Sequence, residues 1–139
     1  MITKLSHASL FVTDQDKAYD FYVNKLGFIV RTDAKMNNGF RWLTVSPSEQ
    51  PDLEIALLSP LHEGMSYDEE TRNAFKTLLE KNALGAGVLY TSDCRATYEE
   101  LKAKGVIFKS EPREQFYGIE AVVTDNCGNW FSMTQPKEM

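Results

Sequence analysis

The chain has little cysteine, no long apolar run and no block of positive charge. Its two cysteines, Cys94 and Cys127, are too far apart for a CxxC redox or zinc motif, so a disulfide framework is not expected. Cys94 follows a helix-starting aspartate and should be inert. Cys127 lies in a turn with no base beside it in sequence, which makes it a turn residue and not a nucleophile. No segment approaches the roughly 20 apolar residues that span a bilayer. The opening MITKLSHASL has no apolar core behind a basic start, so a cytoplasmic protein without a membrane partner is expected. With 15 Lys and Arg against 20 Asp and Glu the net charge is −5, which is a poor match for a phosphate backbone and argues against a nucleic-acid partner. No Ser-His-Asp order, phosphate-cradling glycine loop or dinucleotide fingerprint is present.

What is present is enough apolar material for a core. Of the 139 residues, 42% are hydrophobic and 12% aromatic, which suits a single domain over 1–139. The chain also says one thing twice. LFVTDQDKAYDFYVNKLGFIVRTD (10–33) and VLYTSDCRATYEELKAKGVIFKSEP (88–112) each give an apolar strand, an aspartate, a short amphipathic helix, a glycine and a second strand. Asp14 should cap the first helix and Gly27 end it, with Ala18, Phe21, Tyr22 and Leu26 as its buried stripe. Asp93, Tyr98, Leu101 and Gly105 play the matching parts in the second copy.

Each copy continues into two more strands, 40–46 and 53–60 in the first, 117–125 and 129–136 in the second, joined by the turn-rich PSEQPD and NCG. The predicted fold is therefore α+β: paired βαβββ modules, about 1–60 and 86–139, with helices on one face of the sheets. Between them, 61–85 carries Asp68 and Thr71 as a helix start, then Ala74, Phe75, Leu78 and Leu79 as an amphipathic stripe. It is either a crossover between the modules or a lid over a cleft.

VTDQDKAYDFYVNKLGF near the start and DNCGNW near the end resemble the vicinal oxygen chelate superfamily, which includes glyoxalase I, extradiol dioxygenases, fosfomycin-resistance enzymes and bleomycin-resistance binding proteins. The resemblance spans about Leu5 to Gln135. It implies sheets that curl into an open cup, completed by a second subunit; open sheet edges also favour a homodimer. It further implies a divalent-metal site in the metal-dependent members. His7 matches the first ligand position and Glu54 the second. Gly87 stands at the third position and Ser132 at the fourth, where a histidine and a glutamate are usual. A serine hydroxyl is a far poorer ligand than a carboxylate, so His7 and Glu54 make an incomplete metal set. Glu120, an acid in the apolar run YGIEAVV, and His62 with Glu63 are the available substitutes.

If His7 faces the cup, alternation takes Ser9 and Phe11 with it. Glu54 likewise brings Ala56 and Leu58, and Ser132 brings Trp130 and Thr134. Phe40, Trp42 and Thr44 share a face of the third strand, and Tyr117 stands at the entrance to the seventh. His7, Phe11, Trp42, Tyr117, Trp130 and Ser132 are thus the candidate ligand-binding residues, and Glu54 and Glu120 the candidate catalytic carboxylates. Such a lining suits a flat or amphipathic small molecule.

The leading expectation is a small-molecule-binding protein of the bleomycin-resistance kind that needs no metal. The alternative is a glyoxalase-like lyase or isomerase, with nickel, zinc, manganese or iron polarising two vicinal oxygens while Glu54 or Glu120 moves a proton. A metal-free enzyme using His7 and Glu54 as an acid–base pair is a third. Dioxygenase and fosfomycin-type activities rest on the first and third histidines and the last glutamate, of which His7 alone is present.

Overall fold

Aspartates start the helices and glycines release them. The computed structural model describes residues 1–138. Strand β1 (His7–Phe11) leads into helix α1 (Gln15–Tyr19), whose turns widen to π-type over Asp20–Lys25. The Asp14 carboxylate accepts from the backbone N–H groups of Asp16 and Lys17. At the far end Gly27 takes φ 80°, a left-handed conformation that costs glycine nothing. Strands β2 (Ile29–Lys35), β3 (Arg41–Ser46) and β4 (Glu54–Leu58) follow. After helix α2 (Glu69–Glu80) the pattern repeats as β5 (Leu84–Tyr90), α3 (Cys94–Ala103), β6 (Ile107–Gln115), β7 (Gly118–Thr124) and β8 (Asn129–Pro136). Asp93 caps α3 by accepting from Ala96, and Gly105 ends it at φ 88°.

The duplication is visible in the pairing. One four-stranded sheet runs β1-β4-β3-β2 and the other β5-β8-β7-β6; in each the edge pair is parallel and the remaining pairs antiparallel. Pro112 is accommodated because β6 is an edge strand, with a register shift between Ser110 and Arg113. The sheets curl and do not close.

One core joins both modules. It combines Ala18, Phe21 and Tyr22 of α1, Cys94 and Leu101 of α3, Leu43, Val45 and Leu57 of the first sheet, and Ala121, Val123, Phe131 and Met133 of the second. Strand alternation therefore sends His7, Ser9 and Phe11, and likewise Glu120, Ser132 and Thr134, to the opposite faces.

A buried carboxylate ties the modules together. Asp125 is 3% exposed. Its Oδ2 accepts from Tyr22 Oη at 2.7 Å and Asn129 Nδ2 at 2.8 Å, and its Oδ1 from the backbone N–H groups of Cys127 and Asn129, both at 2.9 Å. Asn129 Nδ2 also donates to Phe11 O, and Thr13 N donates to Cys127 O. The turn of DNCGNW is thus anchored on α1 and on the end of β1. Burial, and then the neighbouring Asp125, push the Tyr22 phenol well above its usual range, which keeps it a donor.

Two sequence expectations need correction. The stripe on α2 is narrower than predicted: Leu79 is buried and Phe75 half-buried, whereas Ala74 and Leu78 are exposed. The helix touches the body along a single i, i+4 line. Phe75 packs on Phe11 at 4.8 Å between ring centroids, and Leu79 fills the space left by Gly128. Cys127 does lie in the β7–β8 turn, but the exposure such a position allows is not found: it is buried, and burial raises its thiol pKa, as it does that of Cys94. No helix among the described residues is long and apolar enough to cross a membrane.

Removing the Tyr22 hydroxyl strands one charge-assisted hydrogen bond in a buried site, so Tyr22→Phe should lower unfolding free energy by about 1.5–3 kcal/mol. Urea titration should show a lower midpoint at unchanged slope. Asp125→Ala, which leaves several donors without a partner, should cost more.

Candidate functional site

On the first sheet the in-register neighbours His7 of β1 and Glu54 of β4 form a closed polar pair. His7 Nε2 lies 3.2 Å from Glu54 Oε2, and the Thr44 hydroxyl donates to Glu54 Oε1 at 2.8 Å. The other ring nitrogen, His7 Nδ1, is 2.8 Å from Ser6 Oγ. Both nitrogens and both carboxylate oxygens are therefore engaged. The next residues on this face are Ser9, Ala56 and Thr44, then Phe11, Leu58 and Trp42. Thr44 and Ala56 are fully buried, Trp42 is half-buried, and Phe11 is edged by Phe75 and by Tyr67 at 6.4 Å.

The second sheet carries a hydroxyl and carboxylate chain. Tyr117 Oη donates to Glu120 Oε1 at 2.7 Å, Ser132 Oγ donates to Glu120 Oε2, and Thr134 Oγ1 is 2.7 Å from Ser132 Oγ. The bond to Glu120 raises the Tyr117 phenol above its ordinary pKa, so the proton stays on the tyrosine. Glu120 was an odd residue in an apolar strand; these donors explain how it is tolerated there. Trp130 does not stand free in the cup. Its ring covers Gly85, where a Cβ would come within 2.7 Å of the indole, and Lys109 Nζ sits 5.8 Å from the ring centroid.

The donor set fits a metal poorly. Register pairs Ser132 with Val88, not with Gly87, because β5 bulges between Gly85 and Gly87. Counting back four residues from the matching bonds Val12 N to Leu58 O and Thr91 N to Thr134 O gives Glu54 in one sheet and Trp130 in the other, paired with His7 and Gly85 respectively. Where the first module has histidine and glutamate, the second has glycine under an indole. Ser132 is neutral and already bonded to Glu120. His62 turns to its own loop, with Nδ1 accepting from Gly64 N and its ring on Phe40, and Glu63 is exposed. Among the described residues no three His, Cys, Asp or Glu side chains cluster as a metal site would need.

Sequence reasoning brought His7 and Glu54 together and found Glu120 and Ser132, but did not foresee that the last two bond each other. It also passed over Arg113, Tyr90 and Phe116. Arg113 is the register partner of Glu120, Tyr90 is that of Thr134, and Phe116 tops the β6–β7 hairpin. An aromatic pair in a two-residue hairpin loop was the available signal.

Two curled βαβββ sheets with polar and aromatic open faces define a vicinal oxygen chelate fold. The sequence matches the family model over residues 4–133, and the chain belongs to the Glyoxalase/Bleomycin resistance protein/Dioxygenase superfamily. It is 38% identical to the uncharacterized protein YurT of Bacillus subtilis (strain 168), across 95% of this chain and 98% of that one. Among solved structures, UcmS2 is 45% identical with a TM-score of 0.88, covering 96% of this chain and 98% of that one. TnmS3, described as an antibiotic binding protein from Streptomyces sp. CB03234, is 28% identical with a TM-score of 0.74, covering 98% of both chains.

The Trp130–Gly85 contact gives a direct check on this geometry. In a Trp42→Phe background, Gly85→Ala should cost about 1–3 kcal/mol by overpacking. It should also shift the emission of Trp130, read by fluorescence during chemical unfolding.

Proposed function

We propose that this protein binds a flat or amphipathic small molecule, such as an antibiotic, without acting on it and without a metal. The molecule lies between the open faces of two subunits of a homodimer. The observation that carries the reading is the closure of the polar groups: His7, Glu54 and Thr44 satisfy one another, as do Tyr117, Glu120, Ser132 and Thr134. A metal needs several donors converging on one point, and among the described residues these carboxylates are instead held apart in two sets on two sheets, each bonded to its own neighbours. Groups engaged in this way orient a ligand and fix the pocket shape instead. Similarity to TnmS3 supports an antibiotic as the class of ligand. His7, Phe11, Trp42, Tyr117, Trp130 and Ser132 line the two faces, with His7 and Glu54 as a polar rim.

The glyoxalase-like alternative keeps His7 and Glu54 as half of a metal site and asks the partner subunit for the rest. Each partner face would bring Glu120 and Ser132, which are already bonded to each other, and this weighs against it.

Titration of the purified protein with bleomycin and with an anthracycline, followed by mass analysis of the recovered compound, tests the proposal. Saturable binding of at least one, recovered unchanged and insensitive to EDTA, is expected. Conversion of the compound, or binding abolished by EDTA, would overturn it. Light scattering after size exclusion should give twice the chain mass of 15.8 kDa.

A further inference from the structure

One row of side chains crosses the open face of the second sheet from edge to edge. Reading β6-β7-β8-β5, the register aligns Arg113, Glu120, Thr134 and Tyr90. The charged groups near this row differ in how they are used. Both oxygens of Glu120 are taken by Tyr117 and Ser132. Lys109 donates to Asn82 O and lies against Trp130. Among the described residues Arg113, like Arg72 and Arg95, enters no ion pair and no side-chain hydrogen bond, whereas Arg41 holds Asp33 and Asp16 and Arg31 holds Pro51 O; of the three free arginines, Arg113 is the one in register with Glu120 on this row.

Exposed aromatic residues stand at both ends of this row: Phe116, 88% exposed, lies three residues on from Arg113 in the β6–β7 loop, and Tyr90, 75% exposed, stands at the opposite edge on β5. Phe116 and Tyr117 are the two loop residues of the β6–β7 hairpin, with ring centroids 5.0 Å apart at 90°. Two-residue hairpin loops are cheapest with Asn-Gly or Asp-Gly, so bulky rings there add nothing to the turn. Tyr117 is fixed by its bond to Glu120, the register partner of Arg113, and the exposed Phe116 ring packs edge-on against Tyr117.

Resting on the ligand-binding reading above, we infer that Arg113 and Phe116 form a subsite for an aromatic anion. The ring of the ligand packs on Phe116 and Tyr117, and its carboxylate, sulfonate or phenolate oxygen meets the Arg113 guanidinium. Arginine suits this because its planar fork pairs with oxyanions in two parallel hydrogen bonds and tolerates an adjacent ring. The subsite sets a charge preference that the hydrogen-bonded His7–Glu54 pair on the other sheet does not.

Two dyes sharing one ring framework test this: 8-anilinonaphthalene-1-sulfonate, which carries the anion, and N-phenyl-1-naphthylamine, which lacks it. Fluorescence titration of the full chain should show saturable binding of both, one per chain. Arg113→Gln should weaken the sulfonate dye about tenfold, the loss of roughly one charge-assisted hydrogen bond, while changing the neutral dye less than twofold. Phe116→Ala should weaken both, at unchanged melting temperature. If Arg113→Gln leaves the ratio of the two affinities unchanged, the subsite is wrong while the ligand-binding reading stands. If neither dye nor either antibiotic binds, both fall. If Phe116→Ala dissociates the dimer without touching dye affinity, the row is an interface between copies and the inference is overturned.

Discussion

The fold depends on a carboxylate with no cation. Asp125 sits in the core and takes four hydrogen bonds, from Tyr22, Asn129 and the backbone of Cys127 and Asn129. A buried charge is tolerated only when its lone pairs are filled, and here filling them requires α1, the β7–β8 turn and, through Asn129, the end of β1 to be in place together. The two modules are locked at this seam. At the related seam, where the β3–β4 turn approaches the end of β5, no buried carboxylate of this kind is found among the described residues, and a cleft of about 560 Å³ opens among Phe28, Pro47, Tyr90, Leu101 and Met133.

That lock commits one face of each sheet to the shared core and leaves the other face free for function. On the free faces polar side chains are held in short closed sets. The same scaffold serves many chemistries, so the sets matter more than the fold. In the first module histidine and glutamate are in-register neighbours on the open face. In the second their counterparts are Gly85 and Trp130, and an indole lying on a glycine offers shape and no lone pair.

Much of this was legible in the sequence, for local reasons. Asp14, Asp68 and Asp93 cap helices as their spacing predicted, and the repeated strand order gives both sheets the same topology. His7 and Glu54 were expected on one face and are in-register neighbours. What was not legible depended on register between distant strands. The Glu120–Ser132 bond joins β7 to β8, and the bulge at Ala86 shifts β5 so that Val88, not Gly87, opposes Ser132. DNCGNW marked the family, but its aspartate reads as the last residue of a strand until Tyr22, far away in sequence, is seen to reach it. The stripe on α2 was overread because helical periodicity does not say how wide a neighbour the helix will meet; only the Phe75–Leu79 line found one.

The proposed metal-free reading rests on the polar groups of the open faces bonding one another. Metal content of untagged protein purified without chelator, by mass spectrometry, followed by melting with added nickel, zinc, manganese and iron(II), tests this most directly. Substoichiometric metal and an unchanged melting temperature with every ion are expected. One metal per chain, or a clear metal-dependent rise in melting temperature, would contradict it, since an ion held by the native state alone must stabilise it.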